Sequence, residues 1–147
     1  MPIQHVRKYT ESLYTSINEM MPQLSSSTPS ISREKLKELL QQQCLHVFIF
    51  TDTTDANEPA RGMLSLVLFD IPTGKRAWIE DVVVHENARG RGIGKQLVNA
   101  AITYAQEQGA KSIDLTSRPT RIAANKLYQK AGFVQRETNV YRFQPSN

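Results

Sequence analysis

Two acidic side chains, Glu80 and Asp81, stand side by side inside the otherwise apolar run Trp78–Val84. A carboxylate in such a run loses hydration unless it faces a cleft or a partner. The pair therefore signals either proton-transfer chemistry or an ion pair with a basic neighbour. If the run is a strand, alternation sends the two to opposite faces, and both meet one substrate only where a bulge intervenes. A few residues later comes Arg89-Gly90-Arg91-Gly92-Ile93-Gly94-Lys95. Gly92 and Gly94 allow a tight turn and a close backbone approach to a ligand. The free N–H groups of a helix opening there, together with its dipole, favour an anion, and Arg89, Arg91 and Lys95 add positive charge. Further on, Tyr128 supplies a phenol that is still protonated at neutral pH and able to donate, its reference pKa being about 10. Asn125 lies one helical turn before it on nearly the same face. The plainer role for Tyr128 is a core tyrosine packed beside Leu127.

Charge distribution favours the anion reading. Residues 1–70 hold six Lys/Arg against eight Asp/Glu, whereas residues 71–147 hold twelve against six. The basic half suits a phosphorylated cofactor or nucleic acid, and charge alone does not choose between them. His5, His46 and His85 are scattered without metal-ligand spacing and read as ordinary surface or strand histidines, so no metal is expected. Cys44, the lone cysteine, reads as buried packing and allows no intrachain disulfide. The start of the chain alternates polar and apolar residues and does not read as a signal peptide. The longest apolar runs, Leu45–Phe50 and Met63–Phe69, are too short for membrane helices. A cytoplasmic protein with no membrane partner is expected.

The elements that must position these residues follow from pattern and punctuation. Ile3–Lys8 reads as an edge strand, and Tyr9–Met21 as a helix with Thr10 as cap. A Ser/Pro-rich loop, 25–32, leads to an amphipathic helix over Glu34–Gln42 capped by Ser32. Strands are expected at Leu45–Phe50, Arg61–Phe69 and Ala77–Val84, with turns over 51–59 and at Pro72-Thr73-Gly74. The helix after the glycine turn buries Leu97, Ala100, Ala101, Tyr104 and Ala105 and stops at Gly109. A strand at Ser112–Thr116, a helix at Arg121–Ala131 stopped by Gly132, and one or two strands over Val134–Phe143 complete the chain. This is one α/β (α+β) domain over residues 1–147, with a mixed central sheet whose antiparallel part comes first and whose parallel crossover follows the glycine turn.

Two nucleotide motifs fail on this turn. A P-loop needs glycine where Arg89 stands and a hydroxyl where Gln96 stands, and the Rossmann spacing Gly-x-Gly-x-x-Gly is not met by Gly90, Gly92 and Gly94. What remains, Arg89-x-x-Gly92-x-Gly94 a few residues after Val82-Val83-Val84, resembles the pyrophosphate-binding motif of the GNAT (Gcn5-related N-acetyltransferase) superfamily. Asn125-Lys126-Leu127-Tyr128-Gln129-Lys130-Ala131-Gly132-Phe133 is similar to that family's second signature. Both stand in order and at the proper spacing. The likeness is close over Trp78–Phe133 and extends elsewhere only to element order.

The resemblance implies the GNAT fold, with splayed parallel strands and about four helices, and direct acetyl transfer from acetyl-CoA to an amine. It assigns Tyr128 as general acid to the departing thiolate and Asn125 to the pantetheine arm. The backbone of Val82–Val84 pairs with that arm, a backbone N–H near Val82 serves the oxyanion, and Arg89–Lys95 (Arg89, Gly90, Arg91, Gly92, Ile93, Gly94, Lys95) cradle the pyrophosphate. An amine with a pKa near 10.4 must lose a proton before it attacks. We expect Glu80 to act as base, through water, and Asp81 to orient the substrate. The strand Ile79–Val84 and the ending Asn139–Phe143 resemble glucosamine-6-phosphate N-acetyltransferases, with Arg118 and Arg121 available to a substrate phosphate. A protein N-terminus or lysine is the second acceptor class, disfavoured by Leu115-Thr116-Ser117-Arg118 where such enzymes carry Glu-Val-Arg. A non-catalytic CoA sensor is disfavoured because Tyr128 and the carboxylates are present. A nucleic-acid-binding domain would need aromatics interleaved with its charges on a sheet face or a helix bearing base-reading side chains, and the charged Arg121–Lys130 helix devotes its faces to Ala123, Ala124, Leu127 and Tyr128. The edge Val140-Tyr141-Arg142-Phe143 allows a homodimer of the kind that the resemblance implies.

Overall fold

The computed structural model describes residues 3–146. The first two residues and the last, which a 1–147 domain takes in, lie outside that range. The order is β1 (Ile3–Val6), α1 (Glu11–Leu24), α2 (Arg33–Gln41), β2 (Leu45–Thr51), β3 (Ala60–Ile71), β4 (Gly74–Val84), a short 3-10 turn (Glu86–Ala88), α3 (Ile93–Glu107), β5 (Ile113–Asp114) and α4 (Ile122–Lys130). Both expected caps are made: Thr10 Oγ1 accepts from Leu13 N–H and Ser32 Oγ from Lys35 N–H, each at 3.0 Å. Pro22 does not end α1, which closes three residues later with Ser25 N–H donating to Met21 O.

The sheet runs β1-β2-β3-β4-β5, antiparallel through β4 and parallel between β4 and β5. Period-2 alternation sorts β2 between two cores. Phe48 and Phe50 pack under α3 with Leu64, Leu66, Ile93, Leu97 and Val98. Val47 and Ile49 pack under α1 and α2 with Leu13, Ile17, Met20 and Leu36. The sheet is thus covered on both faces, which is why β2 is buried nearly throughout. Gly62 of β3 lets α3 come close: a Cβ there would lie 2.8 Å from Ile93 Cγ2 and 3.1 Å from Leu97 Cδ1.

Two helix ends are fixed by the same device. At α3, Gly109 has φ +85°, its N–H donates to Gln106 O, and Ala110 N–H donates to Ala105 O. At α4, Gly132 has φ +108°, its N–H donates to Gln129 O, and Phe133 N–H donates to Tyr128 O. These are Schellman caps, and glycine is needed because the left-handed conformation costs other residues. In α3 the fully buried stripe is Ile93, Leu97, Val98, Ala101 and Ala105, with Ala100 and Tyr104 only partly covered.

Several sequence expectations need correction. The strand expected at Ser112–Thr116 pairs only at Ile113–Asp114, opposite Ala77 and Trp78, because β4 and β5 part beyond that point. Residues 134–146 form no strand and are exposed throughout, because they make no backbone hydrogen bond to a sheet edge among the described residues. Cys44 is exposed, in the turn before β2. His5 and His46 are not scattered: β1–β2 pairing sets His5 Nε2 3.1 Å from His46 Nδ1.

Candidate active site

The cleft lies where β4 and β5 separate. It is lined by Ile79, Glu80, Asp81 and Val82 of β4, by Leu115 and Thr116 after β5, by Arg121 and Tyr128 of the α4 region, and by Met21, Leu24, Ser25 and Thr28 from the end of α1. Its volume is about 280 Å³.

A bulge brings both carboxylates into it. On β3 the step from Met63 to Ser65 spans two residues, while the partners on β4 step from Val83 to Glu80, so β4 carries one residue more than its partner. Asp81 takes up the surplus with φ +53°, the only non-glycine residue at positive φ among those described. Aspartate is among the side chains that tolerate this conformation. The consequence is visible in packing: Ala77 and Ile79 belong to the α3 core, yet Val83, of the same parity, belongs to the α1–α2 core. The bulge that alternation required is present.

The two carboxylates differ. Glu80 is exposed, and its Oε2 accepts from Trp78 Nε1–H at 2.6 Å. Asp81 keeps contact with solvent, but loss of hydration against the cleft wall and, secondarily, the neighbouring Glu80 charge raise its pKa. Across the cleft Tyr128 is only 7% exposed. It sits at the third position from the end of α4, where the Schellman cap places Phe133 edge-on to its ring at 6.0 Å between centroids. Burial raises its phenol pKa, and the nearby Arg121 charge offsets part of that rise. The phenol oxygen takes no hydrogen-bond partner from the described residues and is not sealed from solvent, so it opens on the cleft. The Schellman cap therefore sets the height of this donor, and the bulge sets the carboxylates opposite it.

Beyond the bulge β4 offers free backbone on its cleft side. His85 N–H donates to Arg61 O at 2.8 Å, so alternation turns the N–H and C=O of Val84 away from β3. The Gln23 side chain, from α1, meets this edge: its Nε2 donates to Val84 O at 3.0 Å, and its Oε1 accepts from Glu86 N–H at 3.2 Å. Sequence reasoning missed Gln23, because nothing local links residues 61 positions apart.

The glycine turn behaves partly as expected. Gly92 is the N-cap of α3 at φ +74° and Gly90 has φ +82°, each in open space, so conformation and not crowding demands glycine there. Gly94 is instead helical, and a Cβ there would sit in ordinary contact with Leu127 Cδ2 at 3.4 Å, so neither conformation nor crowding within the chain demands glycine. The first helical hydrogen bond runs from Gln96 N–H to Gly92 O, leaving the N–H groups of Ile93, Gly94 and Lys95 without an intrahelical acceptor. The Ile93 side chain is buried, so only its backbone can serve a ligand. Arg89 and Lys95 are exposed at the turn. Arg91 also reaches away from the turn: it pairs with Asp52 and stacks over Phe50 at 5.5 Å, and its hydrogen bond, ahead of its charge, lowers the Asp52 pKa. Asn125 Nδ2 donates to Arg118 O at 2.9 Å, tying α4 to the loop before it. Arg121 lines the cleft; Arg118 does not.

Among the described residues no helix is long and apolar enough to cross a membrane. Residues 11–133 match the profile of the acetyltransferase (GNAT) family. The chain is 32% identical to the mycothiol acetyltransferase of Renibacterium salmoninarum over 113 residues, 76% of this chain and 33% of that protein. It thus spans about a third of that relative's length. It is 27% identical over 126 residues to glucosamine 6-phosphate N-acetyltransferase 1 of Oryza sativa subsp. japonica, covering 82% of this chain and 74% of the relative. In three dimensions it superposes on the aminoglycoside acetyltransferase meta-AAC0020 from an uncultured soil metagenomic sample, solved in complex with sisomicin. The TM-score is 0.78 at 18% identity, over 99% of this chain and 95% of that one, a likeness of fold alone.

Proposed function

Because this chain belongs to the acetyltransferase (GNAT) family, we propose that it transfers the acetyl group of acetyl-CoA directly to the primary amine of a small molecule held in the β4–β5 cleft. The observation that carries this reading is the convergence on one cleft of an unpartnered phenol, Tyr128, and two carboxylates, Glu80 and Asp81. The residues present fit acetyl-CoA: free N–H groups at the start of α3, Arg89 and Lys95 beside them, and the outward backbone of Val84. In this reading the family gives Val82–Val84 and Asn125 to the pantetheine arm, and the turn from Arg89 to Lys95 to the pyrophosphate, with Arg91 holding the turn to β2.

The raised pKa of Asp81 suits it, more than Glu80, to take the ammonium proton, since a base works best with a pKa drawn towards the working pH. Glu80, held by the Trp78 indole, orients the cation. The freed amine attacks the thioester carbon, the Val82 N–H donates to the developing oxyanion, and Tyr128 gives its proton to the sulfur as the C–S bond breaks. As the tetrahedral adduct collapses the nitrogen loses a second proton, which restores the phenol through solvent. The ammonium proton held by Asp81 passes to water, so ammonium and acetyl-CoA give amide, CoA thiol and one proton. An amino-sugar phosphate is the acceptor best supported, by the glucosamine 6-phosphate relative and by Arg121 in the cleft. A cytoplasmic site of action belongs to the same reading.

The test is a calorimetric titration with acetyl-CoA, repeated on a Gly92→Glu, Gly94→Glu double variant with its fold checked by circular dichroism. Binding in the wild type and loss in the variant support the cofactor site. A panel of amines then follows, in which Tyr128→Phe lowers kcat by about 100-fold with binding retained. A wild type that does not bind acetyl-CoA sinks the proposal.

A further inference from the structure

Gln23 fills a gap in the sheet. Pairing between β4 and β5 stops at Trp78 and Asp114, so among the described residues the outward backbone of β4 beyond the bulge has no strand beside it. The Gln23 carboxamide takes that place: its Nε2 donates to Val84 O at 3.0 Å, and its Oε1 accepts from Glu86 N–H at 3.2 Å. One amide that gives a donor to Val84 and an acceptor to Glu86 reproduces what a parallel strand would offer opposite His85. An amide of the pantetheine arm would offer the same pair, and Val84 is one of the residues that the acetyl-CoA reading gives to that arm.

The segment that bears Gln23 is built to let go. Met20 is fully buried and anchors α1. Pro22 follows and, lacking an N–H, gives the last turn no bond to Asn18 O. After Leu24 the chain runs as a loop up to α2. Met21, Leu24 and Ser25, with Thr28 just beyond, line the cleft. We infer that Gln23 is a positioning residue: it holds the place of the pantetheine arm on β4, acetyl-CoA displaces it, and its release moves the last turn of α1 against the cleft. A donor on Val84 O and an acceptor on Glu86 N–H take up this stretch of edge, so arm and carboxamide compete for it. The cofactor thereby sets the wall against which the amine is received. The inference rests on the acetyl-CoA reading and adds to it a residue outside both signature motifs.

Calorimetry with two probes separates the inference from the reading beneath it. CoA carries the arm; 3′-phospho-ADP carries the same phosphates without it. Gln23→Ala, its fold checked by circular dichroism, should bind CoA about 5-fold tighter than the wild type does, the size of one net hydrogen bond released from competition. Both proteins should bind 3′-phospho-ADP equally. Gln23→Met, which keeps the length of the side chain without either hydrogen bond, carries the same expectation if the alanine variant does not fold. Hydrogen exchange reads the movement. CoA, and not 3′-phospho-ADP, should speed exchange of the Ser25 amide, which closes the last turn on Met21 O in the wild type. Equal or weaker CoA binding by the variant overturns the inference and leaves the acetyl-CoA reading intact. A tightening shared by both probes overturns it too, by placing the effect at the glycine turn, as does Ser25 exchange that CoA leaves unchanged. A wild type that binds neither probe overturns the reading and the inference together.

Discussion

The contact of His5 and His46 makes a sharp forecast for stability against pH. His46 is 6% exposed, lies against Tyr104 on the α3 side of the sheet, and has its Nδ1 approached by both His5 Nε2 and, at 3.4 Å, Arg7 Nη1. Arginine can only donate, so Nδ1 must be the unprotonated acceptor, and protonating it would set a cation against a cation. Burial first, then the His5 and Arg7 charges, lower the His46 pKa from 6.5 to about 4; His5 is lowered too, by burial and by Arg7. A folded pKa below the unfolded one means that the unfolded chain binds the proton more readily. The neutral ring therefore contributes fully above pH 6.5, and its contribution is lost as pH falls towards 4. At 1.36 kcal/mol per pKa unit the loss from His46 is about 2 kcal/mol by pH 5 and about 3 kcal/mol below pH 4. Against a typical total of about 5–15 kcal/mol this is large. Urea unfolding at pH 7.5 and pH 5, on the wild type and on His46→Leu, isolates it, because only the change with pH is compared and packing differences cancel. The wild type should lose about 2 kcal/mol more than the variant over that interval. Equal losses in the two proteins would show that His46 ionises freely in the fold and would refute the argument.

Three further outcomes follow from the same geometry. Gly62→Ala forces a Cβ against Ile93 and Leu97 and within 3.3 Å of the Val83 carbonyl, which cannot step aside; a loss of about 1–3 kcal/mol in urea unfolding is expected, with weaker acetyl-CoA binding because Ile93 opens α3. Asp81→Asn keeps a side chain that tolerates positive φ and removes a carboxylate whose raised pKa disfavours the folded state once pH climbs above the unfolded value. The variant should therefore melt higher than the wild type at pH 7.5 while turnover of the best amine falls, and a lower melting temperature would count against the account. Gly132→Ala strains the cap that holds Tyr128, at a cost of about 1–2 kcal/mol, and kcat should fall further than acetyl-CoA affinity when the two are measured side by side.

What could be read beforehand was whatever depends on neighbours in sequence. Thr10 and Ser32 cap because hydroxyls reach N–H groups three residues on, and Gly109 and Gly132 stop helices because φ is a property of one residue. The glycine turn and the Tyr128 helix were legible for the same reason. The surplus residue in β4 could be posed as a condition but not located, since register is decided by β3. The pairing of Arg91 with Asp52, 39 positions away and just after β2, could not be read from the turn itself. Gln23 and the meeting of His5 with His46 were hidden by the same separation. The final strand failed differently: alternation reports what a segment can pair as, whereas pairing needs an edge that sequence does not supply.

The extra residue in β4 also bears on which changes of length the chain can accept. Before Asp81 the odd positions face α3; after it they face α1 and α2. The strand is written in two phases, and the surplus residue is the punctuation between them. Removing one residue anywhere from 80 to 82 would merge the phases, turning Val83 out of the α1–α2 core and driving Val82 and Val84 away from the α3 core they now abut. Individual side chains along this strand can therefore be exchanged one at a time with local cost, whereas a single-codon deletion should exchange the contents of the two faces. A deletion scan across 77–84, read by soluble yield, should show that asymmetry: the cleft is preserved by a count of residues as much as by their identities.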